Sequence, residues 1–157
     1  METTGSVEGI FVTPDSGEQM EVVDAVEAVA GRGLRGDRYF HERGLYNRRE
    51  DLPEATDVTL IEMEALEAAR RDEGMKLEPR KTRRNIATRN VPLNHLVDRE
   101  FTVGDATMVG VRLCEPCGYM ESLADAEGAV DALTHRGGLN ANVVDSGAID
   151  VGDAVEF

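Results

Sequence analysis

Two cysteines are the residues of this chain best suited to nucleophilic, sulfur-transfer or soft-metal chemistry. They form the tetrapeptide Cys114-Glu115-Pro116-Cys117. A thiolate is the reactive form of the side chain and a good ligand for soft metals. Proline cannot donate to a strand ladder, so the strand that carries Cys114 should end before Pro116 and Cys117 should follow on a loop. Functional side chains concentrate on loops held by rigid elements, so we predict that Cys117 is the functional cysteine.

Three other interpretations of the cysteine pair stay open at this point. A zinc site needs four ligands, and beyond the pair the chain offers carboxylates, His41, His95 and His135 but no second Cys-x-x-Cys motif. A thioredoxin-like dithiol starts a helix, whereas here a predicted strand leads into the motif. The third alternative is two small buried thiols without chemistry. We favour one functional cysteine over each of these.

Most of the basic residues are gathered in the middle of an acidic chain. Residues 32–89 hold 14 of the 17 basic residues, and residues 79–90 hold five of them without a single acid. Guanidinium groups bind phosphate and carboxylate through paired hydrogen bonds. We therefore predict an anion site around Arg83 and Arg84. The alternative is that these cations pair with acids on a solvated surface.

A second arginine cluster lies in a glycine-rich loop. Arg32, Arg35 and Arg38 are interleaved with three glycines within the segment 31–38. Such a loop allows close approach of a ligand to the backbone, but it lacks the strand-to-helix setting of a dinucleotide-binding loop.

Alternating apolar residues and turn signals predict mainly short strands. The clearest alternation leads directly into the cysteine pair, and residues 19–29 should form the hairpin partner of the first strand. The predicted strands are Val7–Thr13, Phe101–Val103, Ala106–Leu113, Asn140–Val144, Ala148–Val151 and Ala154–Phe157.

Two helices are predicted among these strands. The first runs from about Leu60 to Asp72, with Thr59 and Glu62 as a capping box and Gly74 as its stop signal. The second is a short helix near Glu127–Thr134, ended by two glycines. Many short strands with two helices predict an α+β protein, mainly β, built on a curved sheet or barrel. We expect one domain over residues 1–157, with its core at about 7–156.

The overall composition excludes several classes of function. Against 17 basic residues there are 31 acids, so the net charge is −14, which disfavours nucleic acid and anionic membranes as partners. Neither a transmembrane segment nor a signal peptide is visible, so we expect a cytoplasmic protein. Only two of the basic residues are lysines. Together with the acidity, this composition resembles the proteomes of salt-loving archaea.

An ordered set of motifs resembles the MOSC domain, the C-terminal domain of molybdenum cofactor sulfurases. The resemblance covers nearly the whole chain and implies a β-barrel fold with short helical inserts. The matching pieces are Gly33-Leu34-Arg35-Gly36-Asp37-Arg38, Val58-Thr59-Leu60-Ile61, Arg83-Arg84-Asn85-Ile86, Gly104-Asp105, Cys114-Glu115-Pro116-Cys117 and His135-Arg136-Gly137-Gly138.

The resemblance implies binding of the molybdenum cofactor, a pterin that carries a phosphate and a dithiolene-bound metal. The position of Cys117 matches the cysteine that carries sulfur as a persulfide in sulfurases, or ligates molybdenum in amidoxime-reducing relatives. By the same matching, Arg83 and Asn85 contact the cofactor. We predict that Arg83 and Arg84 hold the phosphate and that Asn85 hydrogen-bonds the pterin. Arg38, in the matched glycine-rich motif, is a further candidate cofactor-binding residue.

We expect these 157 residues to contain neither of two regions that larger MOSC proteins carry. One is the aminotransferase-like domain that holds pyridoxal phosphate, and the other is the extra N-terminal region that completes the pocket of the reductases. The resemblance therefore implies sulfur-carrier, sulfurtransferase-like or molybdenum-dependent activity together with a partner, such as a cysteine desulfurase or a molybdoenzyme. A non-catalytic adaptor module and a small thiol–disulfide protein are the alternative functions.

The charge predicts how stability depends on salt. If the acidity is an adaptation to a salt-rich cytoplasm, dilution should lower the melting temperature, because carboxylates repel one another over a Debye length of about 10 Å at 0.1 M salt and much less at molar salt. Thermal melts in about 0.1 M and about 3 M KCl measure this. A melting temperature that is unchanged or higher in dilute salt contradicts the halophilic interpretation.

Overall fold

The structure is a computed structural model that describes residues 3–15, 18–40, 56–114, 128 and 133–157. Within these ranges it has eleven strands, one α-helix and two short 3-10 helices. The strands are β1 (Thr4–Val12), β2 (Glu21–Val23), β3 (Ala25–Val29), β4 (Gly33–Leu34), β5 (Val58–Glu62), β6 (Ile86–Arg89), β7 (Glu100–Val103), β8 (Ala106–Leu113), β9 (Leu139–Asp145), β10 (Gly147–Asp150) and β11 (Ala154–Glu156). The α-helix is α1 (Met63–Glu73), and the 3-10 helices are Pro79–Thr82 and Leu93–Leu96.

Seven of the described strands close into a barrel. Their order is β11-β7-β8-β9-β5-β6-β1, and β1 pairs back onto β11. Every neighbouring pair is antiparallel except β5 with β6, which run parallel. Strand β2 extends the sheet beyond β1, and β10, β3 and β4 form a smaller sheet. The prediction of a mainly β fold of the MOSC barrel type is therefore confirmed.

Alternation along the strands separates an inner core from an outer apolar cluster. On β9, Leu139, Ala141 and Val143 belong to the large core cluster, so the residues between them face outward. The outer cluster includes Ile61 of β5 and Leu66 of α1, so the helix packs on the outside of the barrel. Ile61 and Leu66 are both buried, so α1 covers this part of the outer face.

The predicted N-terminus of the first helix is wrong. Residues 58–62 form β5, and α1 begins at Met63 after an N-cap residue, Glu62, in extended conformation without a side-chain cap. The sequence pattern suggested a capping box at Thr59, but the backbone of Thr59 pairs with Asn140 of β9. The predicted stop is confirmed, since Gly74 takes φ 67° and its N–H caps α1.

Most of the predicted strands are confirmed within one to three residues at each end. Residues 19–29 do not form a single hairpin partner, because β2 pairs with β1 whereas β3 joins the smaller sheet. The predicted second helix, Glu127–Thr134, lies largely outside the described residues. No helix in the described part of the chain is long and apolar enough to cross a membrane.

Candidate functional site

A buried ion pair fixes the glycine-rich loop to the end of β1. Asp37 Oδ1 accepts hydrogen bonds from the backbone N–H of Thr13 and from Arg38 Nη1, both at 3.1 Å. Its Oδ2 accepts the backbone N–H of Tyr39 at 3.2 Å. Both partners of the pair are buried, so removing either would leave the other as an unpaired buried charge. The pair therefore determines the position of residues 37–39.

Arg38 also connects this loop to the basic segment. Its Nη2 donates to the backbone carbonyl of Arg83 at 2.8 Å, and its Nη1 lies 3.5 Å from Met20 Sδ. The other two arginines of its cluster, Arg32 and Arg35, are exposed and lie over the ring of Phe40. Of the three, the structure brings Arg38 to the residues predicted to bind the cofactor.

Arg83 has a left-handed backbone at the end of the first 3-10 helix. Its φ is 68°, a conformation that costs roughly 1 to 2 kcal/mol for a residue with a Cβ. The strained turn is held by the bond from Arg38 and by a hydrogen bond from Arg83 Nη1 to the backbone carbonyl of Glu18. The turn reverses the chain between the 3-10 helix and β6, and it buries the guanidinium of Arg83 instead of exposing it.

Arg84 joins the basic segment to the cysteine motif. Its guanidinium donates to three backbone carbonyls: from Nη2 to Cys114 at 2.9 Å, from Nε to Gly137 at 2.8 Å and from Nη1 to Thr82 at 3.2 Å. Arg84 is only 5% exposed. A single side chain thus holds the end of β8, the approach to β9 and the 3-10 helix together.

Asn85 is fully buried, and its side chain bonds to the barrel itself. Its Oδ1 accepts the backbone N–H of Thr59 at 3.0 Å and the Thr59 hydroxyl at 3.1 Å. Its Nδ2 donates to the Phe11 carbonyl at 3.1 Å. An amide has two N–H donors and a carbonyl that accepts about two bonds. One N–H of Asn85 therefore remains for a ligand, while its acceptor capacity is used.

Cys114 is the first residue after β8 and is buried, with its N–H donating to the Gly138 carbonyl at 2.8 Å. The strand ends before Pro116, as the proline predicted. Pro116 and Cys117 lie outside the described residues, as does His41. In the described ranges, no three His, Cys, Asp or Glu side chains are grouped so that they could hold a metal ion.

Tyr39 is a site residue that the sequence analysis missed. Burial raises its pKa to about 12, a rise that the positive charge of Arg38 opposes and the neighbouring Cys114 increases. The phenol is therefore protonated at neutral pH. The only feature of the sequence that could have indicated a role for Tyr39 is its position directly after Gly36-Asp37-Arg38.

The predicted anion segment divides into a buried part and a surface part. Arg80 pairs with Glu78 at 3.5 Å, and Arg89 pairs with Glu8 and Glu67, both at 3.1 Å. For these two arginines, pairing with acids on the surface was the correct alternative. Arg83 and Arg84 are the buried part, and the buried Arg38 is bonded to the backbone carbonyl of Arg83.

The comparison with protein families decides the assignment. The family model of the MOSC domain matches residues 47–156, which include the basic segment and both cysteines. The chain belongs to the MOSC domain family. Arg38 lies before the matched range. The search of curated proteins found no match.

Solved structures show the same MOSC fold. The YuaD protein from Bacillus subtilis superimposes with a TM-score of 0.77 at 19% identity, covering 98% of this chain and 95% of that one. YiiM from Geobacillus stearothermophilus gives 0.72 at 11% identity, covering 97% and 74%. YiiM from Escherichia coli gives 0.64 at 16% identity, covering 96% and 68%. At these identities the likeness establishes the barrel only.

Because the Tyr39 phenol is buried, we predict that the free energy of unfolding falls at alkaline pH. Between pH 10 and about pH 12 the unfolded chain releases the Tyr39 proton while the folded chain keeps it, so the free energy of unfolding must fall as pH rises. Tyr39→Phe removes this proton and should flatten the fall. Urea unfolding of both proteins at pH 8 to 11.5 measures the difference. Parallel pH profiles would contradict the burial of the phenol.

Proposed function

We propose that this MOSC protein binds the molybdenum cofactor where the basic segment meets the cysteine motif, and that Cys117 carries a sulfane sulfur or ligates molybdenum there. The observation that carries the proposal is the hydrogen bond from Arg84 Nη2 to the Cys114 carbonyl, which joins two motifs 30 residues apart. A site for an anionic, sulfur-bound cofactor needs this combination of guanidinium groups and a thiol.

The charge of the buried residues fits a phosphate. Arg38, Arg83 and Arg84 are all buried in this part of the fold, and Arg38 pairs with the buried carboxylate of Asp37. Backbone carbonyls accept hydrogen bonds from Arg83 and Arg84 and so orient the two guanidinium groups. A phosphate bound here would meet guanidinium groups, which bind phosphate through paired hydrogen bonds, although the whole chain is strongly acidic.

The position of Cys114 limits where Cys117 can act. Three residues of extended chain span at most about 11 Å, so the Cα of Cys117 must lie within that distance of the Cα of Cys114. Arg84 donates to the Cys114 carbonyl, so this arginine holds the point from which the chain continues to Cys117. This reach supports a role at the same ligand.

Each residue has a defined part in the proposed site. Arg83 and Arg84 bind the phosphate, and the remaining N–H of Asn85 donates to the pterin. Arg38 acts by holding the backbone of Arg83 and by adding its positive charge. When bound, the cofactor supplies a redox-active molybdenum with exchangeable sulfur and oxygen ligands. Cys117 would receive sulfane sulfur from the persulfide of a desulfurase, or bind the metal of a partner molybdoenzyme.

The two cysteines supply a matched pair of variants for the test. Protein purified from a host that makes the cofactor should contain pterin with molybdenum, or protein-bound sulfane sulfur. Cys117→Ser should lose the metal or the sulfane sulfur, because a serine hydroxyl cannot carry sulfane sulfur or replace a thiolate as a ligand of the metal. Cys114→Ser should keep them, because the Cys114 carbonyl, not its thiol, is the atom that Arg84 binds. Metal, pterin and persulfide analysis of the three proteins measures this.

The opposite result contradicts the assignment. Loss in Cys114→Ser with retention in Cys117→Ser would exchange the roles of the cysteines. Wild-type protein without pterin, molybdenum or sulfane sulfur from such a host would contradict the proposed function itself. A Cys114–Cys117 disulfide that cycles with physiological reductants would support the thiol–disulfide alternative instead.

A further inference from the structure

Asn140 has a buried side-chain oxygen that the fold does not use. It lies on β9 between two inward-facing core residues, so its side chain is on the outer face of the barrel. Asn140 is only 2% exposed, and its Oδ1 has no hydrogen-bond partner in the described structure. A buried, unpaired acceptor is destabilising, because it has lost its bonds to water without replacing them. Such groups are rare in native proteins and call for an explanation.

The strand register places this oxygen in the proposed site. Asn140 is directly opposite Thr59 of β5 and directly opposite Arg112 of β8. Thr59 in turn bonds to Asn85 through its hydroxyl and its N–H. Four polar residues therefore form a row across the outer face of the barrel, and Asn140 is a central member.

Cys114 lies beside the same row. It follows Arg112 by two residues, and its N–H bonds to the Gly138 carbonyl two residues before Asn140. Residues two apart on an extended chain share a face, and diagonal neighbours across a strand pair are about 7 to 8 Å apart. The unpaired oxygen is therefore within reach of a ligand that also contacts the cysteine motif.

Two neighbouring amides thus have opposite roles. Asn85 uses its carbonyl twice, for the backbone and the hydroxyl of Thr59, and so connects β5 to β6. Asn140 contributes no such bond from its Oδ1. A group that brings a hydrogen-bond donor can satisfy this acceptor.

We propose that Asn140 is a ligand-recognition residue, whose Oδ1 accepts a hydrogen bond from the N–H of a cyclic-amide edge on the bound heterocycle. This inference rests on the proposed function, since a pterin carries such an edge, with a ring N–H next to a carbonyl. A phosphate or carboxylate that is ionised at neutral pH has no proton to donate, so it cannot satisfy this atom. The arginines then bind the anionic end of the ligand and Asn140 recognises the ring.

The experiment compares Asn140→Leu with Asn85→Leu, a matched change at the neighbouring amide. The ligand is neopterin monophosphate, and its ring-N3-methylated analogue lacks the ring N–H beside the carbonyl. Without ligand, Asn140→Leu should melt about 2 to 4 °C above wild type, because an unsatisfied polar group is replaced by an apolar one. Asn85→Leu should melt well below wild type, because it loses three buried hydrogen bonds.

Calorimetric titration should show the recognition directly. Asn140→Leu should bind neopterin monophosphate about 10- to 100-fold more weakly than wild type, the effect of one buried hydrogen bond to a ligand. Wild type should show a similar preference for the unmethylated compound over the N3-methyl analogue. In Asn140→Leu this preference should disappear.

Failure of this inference is distinguishable from failure of the proposed function. Equal affinity of wild type for the two compounds, or undiminished binding by Asn140→Leu, overturns the role of Asn140 and leaves pterin binding intact. A melting temperature of Asn140→Leu far below wild type also overturns it, because the amide would then already be satisfied. No binding of either compound to wild type overturns the proposed function.

Discussion

The geometry of the site depends on the guanidinium of Arg84 and the three backbone carbonyls that it binds. These carbonyls belong to Thr82 in a 3-10 helix, Cys114 after β8 and Gly137 before β9. The barrel brings the three segments near one another, and the bonds to Arg84 fix their relative positions. A buried arginine needs such partners, because an unsatisfied guanidinium away from water is costly. The same bonds that stabilise Arg84 therefore fix the start of the cysteine motif.

A second set of buried polar contacts fixes the backbone of Arg83, the residue before Arg84. Asp37 holds Arg38, and Arg38 holds the carbonyl of Arg83, whose left-handed backbone directs the chain into Arg84. The strain at Arg83 is typical of functional sites, where the surrounding structure imposes a conformation that the residue would not adopt alone. The site thus combines positive charge with rigid backbone, as recognition of an anion requires.

The sequence predicted what is local and missed what depends on tertiary contacts. Alternation was enough to predict β8, and Gly74 was enough to predict the end of α1. The start of α1 was wrong because strand pairing of Thr59 with Asn140 and its bonds to Asn85 prevail over a capping pattern. The contact of Arg84 with Cys114 spans 30 residues, and no local signal specifies it. Nothing around Asn140 in the sequence indicates a buried, unpaired oxygen.

The most direct measurement for the central claim is hydrogen exchange of the segment 112–118 in Arg84→Lys. Lysine keeps the positive charge, but its compact ammonium cannot reach three carbonyls with the geometry of a planar guanidinium. The peptides that contain the Cys114 carbonyl should exchange at least about tenfold faster than in wild type, with Arg80→Lys, at a surface ion pair, as the unaffected control. Exchange at the wild-type rate in Arg84→Lys would contradict the claim that Arg84 holds the cysteine motif in place.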